Sequence, residues 1–367
     1  MAETVNEKLF DFQVAQSIRW IKLGNREAKE AVKILESVNE KLSNIIRDGS
    51  FSSMRREALK AQVENLLDVM HDQIEESLTS TAHEVAVLSS QIEVDLLKQS
   101  LPIALDIVTP NLGVLQNAAT LEPFNGAVLG DWIEELRKND KARTWRTILD
   151  GIISGETTDN IVRSVIGSPS LRYKDGVREV TKRGIRTLVR TSINHATNVG
   201  RDQVWSSNQD LVKYVKWVST LDTRTTPICR VRDGRVGPTS PDPDFRPPKG
   251  SKVLKPQMAR PPAHPNCRST TVAVTKSWKE LGFDFDELDT GSRSSLDGRV
   301  PDDLTYFDWL TQTSKKNQIE ALGETRYKLW KEGGLKVDKF QNDEGMLYTL
   351  EQLKAKHKEA FSSIGLA

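Results

Sequence analysis

The residues best suited to chemistry in this 367-residue chain are its two cysteines and one histidine that falls close to the second of them. Cys229 ends the run Thr225-Thr226-Pro227-Ile228-Cys229, while His264 and Cys267 lie in Pro261-Pro262-Ala263-His264-Pro265-Asn266-Cys267-Arg268. Thiolates and imidazoles are the donors zinc prefers, so the trio reads as three of the four ligands of a structural zinc site. Asp222 or Asp233 could supply the fourth, although neither has diagnostic spacing. A Cys229–Cys267 disulfide is a second reading, disfavoured in a reducing cytoplasm. A third reading makes both thiols small buried hydrophobes and gives His264 a backbone hydrogen bond. A cysteine nucleophile with a histidine base is a fourth. Against it, His264 is followed directly by Pro265, and no hydrolase signature surrounds either cysteine.

Whichever reading holds, the trio brackets an unusual segment. Residues 214–219, Tyr-Val-Lys-Trp-Val-Ser, alternate and are rich in aromatic and β-branched types, which predicts a strand; Thr270 to Val274 reads as its partner. The residues between them are dense in Pro, Gly and Asp and far exceed the ~12–15 expected of a structureless connection. Such a loop needs something to hold it, and a tie between Cys229 and the His264/Cys267 pair would cinch it shut.

Upstream, apolar residues recur at helical spacing: Phe10, Val14, Ile18 and Ile21, then Ala28, Ala31, Leu35, Val38, Leu42 and Ile45, with Gly49 as the stop. A second helix follows Ser52-Ser53 with Leu59, Val63, Leu66, Met70 and Ile74 on one stripe, and a third is expected from Val85 to Leu97. Two uses of these faces stay open, docking against a larger assembly and closure of an ordinary intramolecular bundle. Pro102, Pro110, Gly113 and Pro123 mark residues 101–130 as a linker. Helices are then expected over Asp131–Asp150, Thr158–Ile166 and Asp175–Ser206, and short ones after Ser277. The fold class expected is α+β, mainly α. Its regions are a helical hairpin region (1–120), a central domain with a small sheet and a long Pro-rich loop (121–276), and short C-terminal helices (277–367).

Composition narrows the function. With 28% charged residues and a net charge of +1, the chain has no global attraction for nucleic acid or anionic membranes. Any such contact needs a local patch. Arg178, Lys182, Arg186 and Arg190 recur at i+4 steps on one helix and form the candidate DNA-facing stripe, with a solvated face as the ordinary alternative. The opening residues lack the basic and apolar regions of a secretory signal, and no stretch has the ~18 apolar residues of a membrane span. A soluble protein made in the cytoplasm is expected. Neither a phosphate-binding Gly-rich loop nor the H-E-x-x-H or G-x-S-x-G motif occurs, so no enzyme activity is expected.

The residues also resemble a known family. Trp217-Val-Ser-Thr220-Leu-Asp222-Thr-Arg224-Thr225, then Cys229, Asp233-Gly234 and Pro-Pro-Ala-His264-Pro265-Asn266-Cys267-Arg268, are similar to the central domain of phage Mu F-like minor head proteins. The preceding helix, with Arg190-Thr191, Asn194 and Arg201, fits the same domain. The C-terminal blocks Tyr306-Phe-Asp-Trp309-Leu310 and Leu347-Tyr-Thr349-Leu350-Glu351-Gln-Leu353 resemble the tail that often follows it. The resemblance implies a virion head protein of a tailed bacteriophage that partners the portal protein and the procapsid or scaffold interior. Contact with packaged DNA and ejection with it go with that role. It implies structural roles for Asp222, Arg224, Thr225, Asp233, Gly234, Pro265, Asn266 and Arg268. Two other classes remain, an injected effector enzyme or toxin-like protein and a DNA-binding packaging factor.

Overall fold

The structure is a computed structural model and describes residues 5–49, 53–100, 106–240, 242–255, 260–277, 279–281, 292–301 and 303–366. In chain order it forms α1 (Val5–Ser37), α2 (Asn39–Asp48), α3 (Ser53–Ser100), α4 (Leu112–Leu121), α5 (Leu129–Ile153), α6 (Thr158–Ile166) and α7 (Arg178–Ser207). Strand β1 (Val212–Val218), α8 (Pro227–Arg232), β2 (Val236–Gly237), β3 (Thr270–Thr275) and the hairpin β4 (Ser292–Ser295) and β5 (Gly298–Pro301) follow. The C-terminal helices are α9 (Tyr306–Gln312), α10 (Lys315–Leu322), α11 (Glu324–Lys331), α12 (Leu350–Lys356) and α13 (Lys358–Ser363). The fold is therefore α+β and mainly α, with a small three-stranded antiparallel sheet in the order β2-β1-β3 beside the β4-β5 pair.

Its compact units are interleaved along the chain. One comprises residues 20–89 and 111–200; the other comprises 1–19, 90–110 and 201–367. Helices α1, α3 and α7 each contribute residues to both units.

In the first of these units α3 carries its buried stripe through Leu59, Val63, Leu67, Met70, Ile74, Leu78, Ala82 and Val85, so Leu67 and not Leu66 lies in the core. Steps of four and three keep that stripe on one face of a single 48-residue helix where the sequence suggests two. The expected linker likewise contains α4, because Asn111 caps it by accepting from the Val114 N–H at 2.9 Å. Close approach of helices is achieved at Gly200 of α7, where a Cβ would collide with the Ala86 carbonyl and Ser89 hydroxyl of α3. The interior also holds charge. Asp140 accepts from Thr181 Oγ1 at 2.6 Å, lies 3.1 Å from His71 Nε2 and pairs with Arg178 at 3.6 Å. Burial alone would raise the Asp140 carboxyl; the His71 hydrogen bond and the Arg178 charge outweigh it and hold the carboxyl below its usual value. His195 is buried with its ring 4.7 Å from that of Phe124, and burial pushes its imidazole down to about 4.

In the other unit β1 pairs with β3 in the register Tyr214↔Val274 and Trp217↔Thr271, and with β2 through Val215↔Gly237. Leu9, Val94, Leu97, Val204, Trp205, Val215 and Ala273 form one core cluster. Gln13 and Gln16 of α1 are buried while Ile18 is exposed, the reverse of the apolar pattern. Gln13 is satisfied there: it donates to Glu93 Oε1 and accepts from the Ala273 N–H at 3.2 Å. A second cluster joins Leu221 to Tyr306, Trp309, Leu310, Leu329, Phe340, Leu353 and Phe361 of the C-terminal segment. Thr305 and Asp308 start α9 with a reciprocal capping box.

Candidate functional site

Strand β1 runs into the long loop at Trp217, whose indole donates to Ser219 Oγ at 2.9 Å while that hydroxyl donates to the Cys229 carbonyl at 2.8 Å. Thr226 caps α8 by accepting from the Cys229 N–H, and Pro227 at the first helical position has no N–H to leave unpaired. These local rules fix Cys229 in the first turn of the helix, buried against Trp217 and Leu254.

The other end is a tight turn. The Cys267 N–H donates to the His264 carbonyl at 3.1 Å, Pro265 occupies the second position, and Asn266 takes a positive φ of 58° at the third. Proline presets its own φ, and asparagine is among the few non-glycine residues that tolerate the left-handed region. The turn thus presents His264 and Cys267 together.

The two ends meet. Cys229 Sγ lies 3.7 Å from Cys267 Sγ and 3.2 Å from His264 Nε2. Thr226 Oγ1 is 2.8 Å from the same nitrogen, and His264 Nδ1 lies 2.9 Å from the Pro265 carbonyl. A carbonyl only accepts, so Nδ1 carries a proton and Nε2 faces the sulfurs. Both cysteines are free and buried. Their shared hydrogen bond, together with burial, raises the Cys229 thiol; the same bond from Cys229 lowers the Cys267 thiol, and His264 helps against the opposing effect of burial.

The two aspartates weighed as a fourth ligand are employed elsewhere. Asp222 takes both guanidinium nitrogens of Arg268, at 2.5 and 2.9 Å, and accepts from Thr225 Oγ1 at 3.1 Å. Asp233 is an internal junction: it accepts from the Ser219 N–H at 2.6 Å, the Tyr306 N–H at 2.7 Å and both Arg293 terminal nitrogens at 3.0 Å. Arg293 also donates to the Leu304 and Ser219 carbonyls. Gly234 follows at a φ of 75°, with its N–H on the Trp217 carbonyl at 2.9 Å.

Midway, the loop returns to the sheet. Val236 donates to the Lys252 carbonyl at 2.9 Å and Leu254 donates back to Val236 at 2.8 Å. Arg260 donates to the Pro238 and Thr239 carbonyls.

Not every motif residue is drawn in. The Arg224 side chain is 79% exposed and lies 3.7 Å from Asp222. The basic stripe is broken at its start: Arg178 is 2% exposed and sits between Asp140, the Leu35 carbonyl and Met70, so it faces protein and not solvent. Lys182 pairs with Glu36 and Arg186 approaches Glu179 at 3.9 Å, leaving Arg190 as the exposed member.

Sequence reasoning missed Thr226, Ser219 and Arg293. The Thr-Pro pair of a helix start signals the first. Nothing marks Arg293, whose partner lies sixty residues away.

Residues 143–272, from within α5 to within β3, match the family model described as phage Mu protein F like protein. No curated protein and no solved structure matches the chain.

Proposed function

Because the chain carries a phage Mu F-like domain over residues 143–272, we propose that it is a minor head protein of a tailed bacteriophage, acting in head morphogenesis at the portal on the procapsid interior. The observation that carries this reading is what the motif residues are used for. Asp222 grips Arg268 and Asp233 grips Arg293, so the charged positions of the module hold its own backbone together. Here they build a fastened loop on a sheet edge, which suits a part assembled into a shell.

The stripe does not add a DNA-facing reading, since its first member is interior. In the head-protein reading the chain is made in the host cytoplasm and is retained inside the procapsid. Quantitative mass spectrometry of purified procapsids and filled heads, from the phage that encodes the chain, tests this. We expect peptides of the chain in both at a few copies per particle, and heads made without it to be fewer or non-infectious. Particles that lack it and remain fully infectious would overturn the reading.

A further inference from the structure

The geometry points to a zinc-binding site made by Cys229, His264 and Cys267, with water in the fourth position. Two sulfurs each about 2.3 Å from one tetrahedral zinc stand about 3.8 Å apart, and a sulfur and an imidazole nitrogen about 3.5 Å. The structure holds the corresponding atoms at 3.7 and 3.2 Å, and all three donors fall within 4.8 Å of one another. A disulfide would need the sulfurs at about 2.0 Å. The donor set is soft, which selects zinc over magnesium or calcium.

Two further features belong to a metal site more than to an ordinary pair of buried thiols. His264 is oriented through Nδ1 on the Pro265 carbonyl, leaving Nε2 as the ligand atom, which is the usual second contact of a metal-bound imidazole. The sulfurs are buried while His264 is half-buried, which leaves the site one accessible side for the ion and its water. Among the described residues these three are the group that could hold a metal, and Asp222 and Asp233 are already committed to arginines.

The site joins the first turn of α8 to the turn before β3, so bound metal cross-links the two ends of the loop. The inference is independent of the head-protein reading, because it concerns the isolated chain. The test uses full-length protein purified under reducing conditions and zinc or cobalt alone as probe. Elemental analysis should find about one zinc per chain, and cobalt exchange should give the thiolate charge-transfer and intense visible bands of a tetrahedral site. Cys229→Ser, Cys267→Ser and His264→Ala should each bind zinc at least about tenfold more weakly, with His83→Gln unchanged. In case these variants do not fold, alkylation of the native wild-type chain gives a second readout: zinc should protect both cysteines, and chelation should expose them and lower Tm. Folded wild-type protein that takes up no zinc, alkylation indifferent to zinc, or a Cys229–Cys267 disulfide formed under these conditions would each overturn the proposal.

Discussion

At the residue scale the position with the most specific demand is Asn266, whose φ of 58° lets the His264–Cys267 turn close. A β-branched residue is ill-suited to that region. Asn266→Val should lower unfolding free energy by about 1–2 kcal/mol, whereas Asn266→Gly should stay within a few tenths of wild type. Urea titrations of the two variants check this, and equal midpoints would show that the turn carries no such constraint. The importance of these residues is legible in the sequence because Cys and His declare their chemistry, and Pro-Asn declares a turn. Their partners are not legible. Arg293 and Tyr306 reach Asp233 from segments sixty and seventy-three residues further on, and no local pattern announces a pairing of that kind. Arg178 misleads for the opposite reason. Charges at i+4 steps define a face of a helix but do not say what packs on it, and here Asp140 does.

At the scale of elements, the strands and most long helices can be read from periodicity, since β1 and β3 pair as the alternation suggests and α7 nearly matches its expected span. The unbroken α3 is harder to see. Its middle, Glu75-Glu76-Ser77-Leu78-Thr79-Ser80-Thr81, is polar and poor in helix formers, yet nothing between residues 53 and 100 is Gly or Pro, and Leu78 and Ala82 continue the buried stripe. Tertiary burial overrides weak propensity there. The same helix meets α7 at Gly200, where backbone approach leaves no room for a methyl group. Gly200→Ala should therefore destabilise by about 1–3 kcal/mol, although alanine is the better helix former. Gly130 near the start of α5 faces open space, and the same change there should be neutral or slightly stabilising. Thermal melts of both variants distinguish a packing demand from a general intolerance of substitution.

For the molecule as a whole, interleaving of the two units governs what truncation can do. Residues 1–100 supply Leu9 and Val94 to one core and Leu35 and Met70 to the other. Deleting them should abolish cooperative unfolding of the remainder, read as the loss of a sigmoidal melt by circular dichroism. A cooperative melt would mean that residues 101–367 fold alone. Stability should also depend on pH in two separate windows. His195 is held near 4, below its ordinary 6.5, so the unfolded chain takes up the proton first. The stability of its neutral state is complete above about pH 6.5, falls by up to about 3 kcal/mol as pH drops toward 4, and is gone below that. Asp140 has its carboxyl below the usual 3.8, and the stability it contributes is lost only under more acid conditions. Urea midpoints measured from pH 7 to pH 4.5 should decline in wild type and less steeply in His195→Phe; equal slopes would remove His195 as the cause.

The loop between Gly234 and Arg260 is held at both ends and along β2, while residues such as Asp242, Asp244, Lys249 and Gly250 lie in solvent. Lengthening a tethered excursion costs little, about 0.6 kcal/mol for each doubling. A short epitope or fluorophore-accepting peptide inserted after Lys249 should therefore ride on the folded chain without disturbing it, giving the protein a visible label at a known point of the sequence.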